Sequence, residues 1–166
     1  MSFTFPWMRA MKHPDPVAFR QALAQFTTGV TVITAEARDG EVCGMTANSF
    51  TSVSLAPPTI LVSVMRGRTL RAITESGQFV VNVLAAGSEN VSGHFAGKRI
   101  VGWEPDYVHR DGFIGLGDAL ASFSCVVSQT VEVNDHTLLI AQVAECDIRA
   151  DDPLVFFGSR YRRLSA

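Results

Sequence analysis

The chain has 166 residues, 47% of them hydrophobic and only 18% charged, with a formal charge of -2. That length suits a single core burying about two-thirds of the unfolded surface, and 16 acidic against 14 basic residues leave no basic face of the kind nucleic-acid binding needs. Soluble domains are usually roughly one-quarter charged, so scarce charge points to a large apolar face buried between two copies of the chain, a homodimer.

The opening stretch MSFTFPWMRAMKHPDP is interrupted by Pro6, Arg9 and Lys12, so neither a signal peptide nor a membrane-spanning helix is expected. Residues 1–14 read as an extension, residues 15–166 as one domain, and the protein as cytoplasmic with no membrane or nucleic-acid partner. Asp15 can cap a helix that Pro16 begins, and Phe19, Ala22, Leu23 and Phe26 share one face before Gly29 stops it. That face should pack on something apolar. Val30 to Thr34 and Val42 to Ala47 are rich in β-branched residues and flank Asp39-Gly40, which predicts a hairpin. Thr59 to Met65 is apolar throughout except for Ser63, as in a strand buried on both faces.

Thr69 to Glu75 suits a short helix closed by Gly77, followed by a strand over Gln78 to Leu84 and a second short helix over Ser88 to Phe95. Gly97 to Gly117 reads as an extended loop. Strands are expected at Phe123 to Val133, His136 to Asp147 and Leu154 to Phe157, the first two joined tightly through Asn134-Asp135. The pattern is mainly β with short helices, and a small barrel fits it better than a doubly wound sheet, because strand and helix do not alternate regularly.

Several familiar motifs nearly match. GHFAGKR is one residue short of a P-loop and has Arg99 where a hydroxyl would bind magnesium. GFIGLGDAL lacks the third glycine of a dinucleotide fingerprint. Asp135-His136 has no G-x-S-x-G elbow to complete a serine triad, and His13, His94, His109 and His136 are too scattered for a metal site. Cys43, Cys125 and Cys146 fit no disulfide framework and read as buried free thiols.

The segment MTANSFTSVS, with Arg66, Arg68 and Arg71 beyond the next strand, has two readings. Its hydroxyls and amide could cap a strand end and a solvated turn. They could equally meet a ligand that is flat and hydrogen-bonding at one end and anionic at the other, such as a flavin mononucleotide.

FRQALAQFTTGVTVITA, MTANSFTSVSLAPPTILVSV, FVVNVLAAGSENVSGHFAG, NDHTLLIAQV and PLVFFGSRYRRL, in that order, resemble the flavin reductase family, the small reductase components of two-component flavin-dependent monooxygenases. The resemblance runs from Pro16 to Leu164. It implies a homodimeric split β-barrel of Greek-key type that binds FMN or FAD near the subunit interface and takes NADH or NADPH as co-substrate. By position it implies that Thr46, Ala47, Asn48 and Ser49 contact the isoalloxazine and ribityl groups. Ser63, Arg66, Arg68 and Thr69 would lie nearer the ribityl chain and phosphate, with Phe95 and Lys98 also on the phosphate side. His136 would orient the nicotinamide, with Tyr161 close by, and no metal is implied.

The implied activity is hydride transfer from NAD(P)H to the flavin, which would then reach a partner monooxygenase. A flavoprotein that keeps its FMN and reduces another acceptor, or a flavin-binding module without turnover, would carry the same motifs. Ala56, Ala141 and Ser159 depart from the family's common Asp, Gly and Gly, and the last two bear on the backbone path around the nicotinamide pocket.

Overall fold

In a computed structural model, residues 12–98 and 100–164 are described. The expected extension over residues 1–14 therefore lies, apart from 12–14, outside the described residues. The elements are α1 (Pro16–Leu23), β1 (Thr28–Gly29), β2 (Thr31–Glu36), β3 (Val42–Ala47), β4 (Thr51–Leu55), β5 (Pro58–Met65), α2 (Arg68–Ser76), β6 (Gln78–Val83), α3 (Glu89–Phe95), β7 (Tyr107–Arg110), β8 (Phe113–Leu116), β9 (Ala121–Val133), β10 (His136–Ile148), β11 (Val155–Phe157) and β12 (Arg160–Arg162). The chain is mainly β with short helices. Among the described residues no helix is long and apolar enough to cross a membrane.

Seven strands form one sheet in the order β3-β2-β6-β9-β10-β5-β4, every neighbouring pair antiparallel. Its two edge strands, β3 and β4, are consecutive in the chain and only residues 48–50 separate them. So short a link cannot bridge a flat seven-stranded sheet, since neighbouring strands are about 4.8 Å apart; the sheet must curl until its edges converge at that corner. Ser49 bridges the gap by donating to the Ser63 carbonyl and accepting from the Ser63 N–H, both at 3.0 Å.

Curling encloses a core in which Ile33, Val62, Val64, Phe79, Val81 and Leu139 are almost wholly buried. α2 adds Ala72 and Ile73 to it and ends as expected, with Gly77 in the left-handed conformation at φ 74°. On β5 the side chains of Ile60, Val62 and Val64 are buried while Thr59, Leu61 and Ser63 are half-buried. The expectation of a strand buried equally on both faces is thus corrected: one face meets the core and the other lies near the surface.

A second apolar cluster, with Val32, Leu84 and Leu154 at its centre, lies on the other side of β2, and α3 supplies Val91 to it. The hairpin β7–β8 also packs there. It occupies part of the expected loop from Gly97 to Gly117, and its turn is made by Asp111 (φ 46°) and Gly112 (φ 84°), the Asp-Gly pair that two-residue hairpins favour. β4 and β12 are likewise strands that the sequence pattern did not single out, since hydroxyls dominate one and arginines the other.

α1 begins as expected: the Asp15 carboxylate accepts from the N–H groups of Val17 and Ala18 at 2.9 and 3.0 Å, and Pro16 leads the first turn. It ends at Leu23 instead of continuing to Gly29, because Thr28 and Gly29 are drawn into pairing with Phe156 and Val155. None of its residues is buried, and Phe19 and Leu23 are each more than half exposed. Among the described residues, then, nothing buries the apolar face of α1, contrary to expectation. Cys43 and Cys125 are buried, and burial pushes the Cys125 thiol up to about 12. Cys146, expected inside, is exposed on β10, whose far end leaves the core.

One buried polar network fastens the β7–β8 hairpin to the sheet. Asn82, fully buried on β6, donates to the Val32 carbonyl at 2.9 Å and the Thr34 hydroxyl at 3.0 Å, and accepts from the Leu116 N–H at 2.8 Å. Thr34 in turn donates to the Ile114 carbonyl. Removing the amide would strand several buried groups at once, each worth about 1 to 3 kcal/mol. Asn82→Ala should therefore lower the unfolding free energy by about 3 kcal/mol in urea titrations; a loss below about 1 kcal/mol would show that the network does not hold the hairpin.

Candidate functional site

β3 is an edge strand, and α2 packs on one face of the sheet beside it while α3 packs on the other. Between them lies a cleft of about 300 Å³ whose wall includes Gly44, Arg68, Thr69, His94, Phe95 and Gly97. Arg68 begins α2 and is ion-paired with Glu41, which raises the Arg68 pKa through their hydrogen bond. Thr69 is buried beside it. The N-cap of α2 is Gly67, which has no side chain to accept the first-turn N–H groups, and no acidic residue stands in that turn. Those N–H groups and the Arg68 guanidinium are donors of the kind an anion site uses.

Phe95 reaches the cleft because Gly44 lacks a side chain: a Cβ there would sit 2.5 Å from the Phe95 ring. Arg68, Thr69 and Phe95, three of the residues expected near the flavin phosphate, line this one cleft. Lys98 follows Gly97 at the rim, exposed, with its N–H on the Gly93 carbonyl at 2.9 Å. His94 stands edge-on to both Phe95 and Trp103, with ring centroids 5.1 and 5.2 Å away. Its Nδ1 is buried with no hydrogen-bond partner among the described residues.

Ser92 of α3 collects two more candidates. The Thr46 hydroxyl donates to the Ser92 carbonyl at 2.6 Å, and the Tyr161 hydroxyl donates to Ser92 Oγ at 2.8 Å. Ser92 is buried and organises both, yet nothing in the sequence singled it out beyond a small polar residue three before Phe95. Tyr161 is thereby held against α3, with Phe156 edge-on at 5.7 Å. The turn that delivers it contains Gly158 and Ser159, both at φ 60°, so Ser159 does take the left-handed conformation that glycine would adopt more easily. Ala141, the other departure, is fully buried beside a register shift between β9 and β10.

The remaining candidates gather at the converging edges. Ala47 accepts from the Thr31 hydroxyl at 2.7 Å, Asn48 is exposed, and Ser49 and Ser63 bond to each other as described. Two residues beyond Ser63, Met65 pairs with His136, and the Arg66 N–H donates to the Asp135 carbonyl at 3.1 Å. His136 Nδ1 lies 2.8 Å from Asp135 Oδ1, and this hydrogen bond is the main cause holding the Asp135 carboxyl below the usual range. A depressed carboxyl pKa favours the pair above the ordinary aspartate range and loses that favour as the pH falls through the depressed value. In the tautomer that gives Nδ1–H to the carboxylate, Nε2 is an acceptor.

The candidates thus form a cleft group around Arg68 and an edge group around His136, and Gly67 alone separates Arg66 of the second from Arg68 of the first. Tyr161 belongs to neither turn; no hydrogen bond or ring contact joins it to His136 among the described residues. A separate concavity of about 250 Å³ beneath β7–β8 is lined by Arg110, Asp147 and Arg149. Its charges are already engaged, Arg110 with Asp147 and Arg149 with the Gly117 carbonyl.

Residues 23–165 match the flavin reductase like domain. The chain is 46% identical to the NADH-dependent flavin reductase StyB of Pseudomonas fluorescens, covering 89% of each. It is 37% identical to the reductase component of 4-hydroxyphenylacetate 3-monooxygenase of Thermus thermophilus, over 89% of this chain and 95% of that one. Among solved structures it resembles the styrene monooxygenase flavin reductase of Pseudomonas putida, with a TM-score of 0.82 and 44% identity over 89% of this chain and 98% of the other. A match across nearly the whole chain, in sequence and in backbone alike, makes this protein a member of the flavin reductase family.

Proposed function

We propose that the chain is an NAD(P)H:flavin oxidoreductase that takes FMN or FAD as its flavin and passes the reduced flavin to a partner flavin-dependent monooxygenase. The observation that carries the reading is the cleft on the edge of β3, where Arg68, Thr69 and the side-chain-free start of α2 face the aromatic ring of Phe95. A phosphate calls for such cations, hydroxyls and N–H groups, and a flavin ring calls for an apolar wall near hydrogen-bonding groups. The relatives named as NADH-dependent flavin reductases support both the activity and NADH as the donor. Those named as components of monooxygenase systems support the partner.

In this reading Arg68, Thr69 and Lys98 hold the phosphate, while Ser63 and Arg66 face the ribityl chain. Thr46, Ala47, Asn48 and Ser49 meet the ring through side chains and backbone groups. His136, its Nδ1–H held by Asp135, offers Nε2 to the nicotinamide carboxamide, and Tyr161 of β12, bonded to Ser92 of α3, completes the pocket. Bound there, a flavin supplies the redox chemistry by accepting at N5 the hydride that nicotinamide C4 releases. The protein's share is positioning and polarisation. Glu41, paired with Arg68, places a carboxylate beside the phosphate donors. It keeps flavin affinity moderate, which suits a flavin that must leave.

The reading includes a split barrel of Greek-key type, supported by the convergence of the two sheet edges, and a homodimer with the flavin near its interface. The exposed apolar residues Phe19, Leu23, Phe26, Leu55 and Met65 support the dimer. Three free cysteines suit a reducing cytoplasm.

NADH oxidation should accelerate when FMN, FAD or riboflavin is added in large excess. A purified yellow protein indifferent to added flavin would instead identify a tight-binding flavoprotein, and no oxidation with any flavin would overturn the reading. His136→Ala should raise the NADH KM about five- to tenfold, the worth of one hydrogen bond, and leave flavin affinity unchanged. Equal loss of flavin binding would remove His136 from the nicotinamide. Sedimentation should give twice the mass of the chain, and Phe19→Asp combined with Leu23→Asp should shift it toward the single chain; a monomeric parent protein would discard the dimer.

A further inference from the structure

α3 is only seven residues long, yet one of them is bonded by two strands that lie far apart in the chain. Ser92 is 1% exposed. Its carbonyl accepts from the Ala96 N–H at 3.0 Å within the helix and from the Thr46 hydroxyl of β3 at 2.6 Å, which engages both lone pairs. Its hydroxyl accepts from the Tyr161 hydroxyl of β12 at 2.8 Å. A serine or threonine inside a helix often turns its hydroxyl back to the carbonyl four residues before it. α2 does so at Thr74, onto Leu70 at 2.8 Å, and at Ser76, onto Ala72 at 2.9 Å. Ser92 instead reaches out of its helix to another element.

β12 has need of such an anchor. Its three residues are all exposed, and it pairs on one side only, with β11. Beyond that ladder, the Ser92 bond and the edge-on ring of Phe156 are what fix the Tyr161 side chain among the described residues.

We propose that Ser92 is a positioning residue for hydride transfer, setting Tyr161 and Thr46 relative to each other from one point in α3. The proposal rests on the reading above, in which Tyr161 borders the nicotinamide and Thr46 meets the flavin ring. Hydride transfer depends closely on how the two rings are placed against each other. Contacts carried by two separate segments would hold that placement loosely, whereas here both refer to the same buried residue. The two bonds use different atoms of Ser92, the side chain for Tyr161 and the backbone for Thr46, so they can be cut separately. Replacing the serine releases Tyr161 and leaves the Thr46 bond in place.

The two sides are read by kcat/KM for NADH at saturating FMN and by titration of FMN affinity. Ser92→Ala should lower kcat/KM for NADH about three- to tenfold, the worth of one neutral hydrogen bond, and leave FMN affinity unchanged. Alanine favours a helix more than serine does, so the fold should survive. Tyr161→Phe, which keeps the ring against Phe156, should give the same loss, and the double variant should be no worse than either, because both remove one bond. A merely structural role for Ser92 would instead shift α3, and FMN affinity would fall together with kcat/KM. Should Ser92→Ala fail to fold, Tyr161→Phe decides alone by the same two measurements. Unchanged kcat/KM in either variant, additive losses in the double variant, or a parallel loss of FMN affinity overturns the proposal and leaves the reductase reading standing. A parent protein that oxidises no NADH with any flavin would strike that reading itself.

Discussion

The structure depends on one constraint of chain length: residues 48–50 must carry the backbone from one edge of a seven-stranded sheet to the other. Three residues can do so only if the sheet curls back on itself, and the core forms inside the curl. Closure stops short of a continuous ladder. In its place Ser49 uses one hydroxyl to serve both the N–H and the carbonyl of Ser63, a contact that a residue without a hydroxyl could not make. Among the described residues β3 has no second strand partner, and the cleft opens beside it between α2 on one face of the sheet and α3 on the other. The gap in the sheet is therefore also what gives the cleft its place.

Hydroxyls and amides are used in three distinct ways along these strands. Asn82 and Thr34 are buried and fully bonded, and they fix a hairpin whose own strands are too short to stand alone. Thr46 and Ser92 are tied to α3 and set where its Phe95 ring meets Gly44. Asn48 points its polarity outward at the corner, and the residues of β4 beyond it do the same on an exposed edge. Among the described residues, buried side-chain polar atoms with no bond are few, and one of them, His94 Nδ1, lies at the cleft. Rigid, satisfied polar groups surround a small number of uncommitted ones, as a site prepared for a ligand requires.

Charge follows the same division. Arg110 and Arg149 are engaged by the protein on the far side of the sheet. Arg68 also has a partner in Glu41, but the pair is exposed, and water screens it enough for the guanidinium to exchange one anion for another at small cost. A cation that is already paired gives up part of its attraction for a phosphate. In the proposed reading, where the reduced flavin must leave, such weakness is useful.

Much of this was legible in the residues themselves. The Asp15-Pro16 start of α1, the hairpin across Asp39-Gly40, the left-handed stop at Gly77 and the Asn134-Asp135 turn all follow from local backbone chemistry, which depends on neighbours in the chain and on little else. The ordered set of motifs from Pro16 to Leu164 likewise sufficed to identify the flavin reductase family, because motif order is a property of the chain alone. Where contacts are long-range the sequence was silent or misleading. It gave no sign that a bond across 69 positions holds Tyr161 to Ser92. The early end of α1 was hidden because strand pairing with β11 drew Thr28 and Gly29 out of the helix. The Arg68 cleft likewise depends on α2 and α3 being brought to the two faces of the sheet beside one edge strand. No local pattern encodes that arrangement, since it is set by which surfaces the curled sheet leaves uncovered.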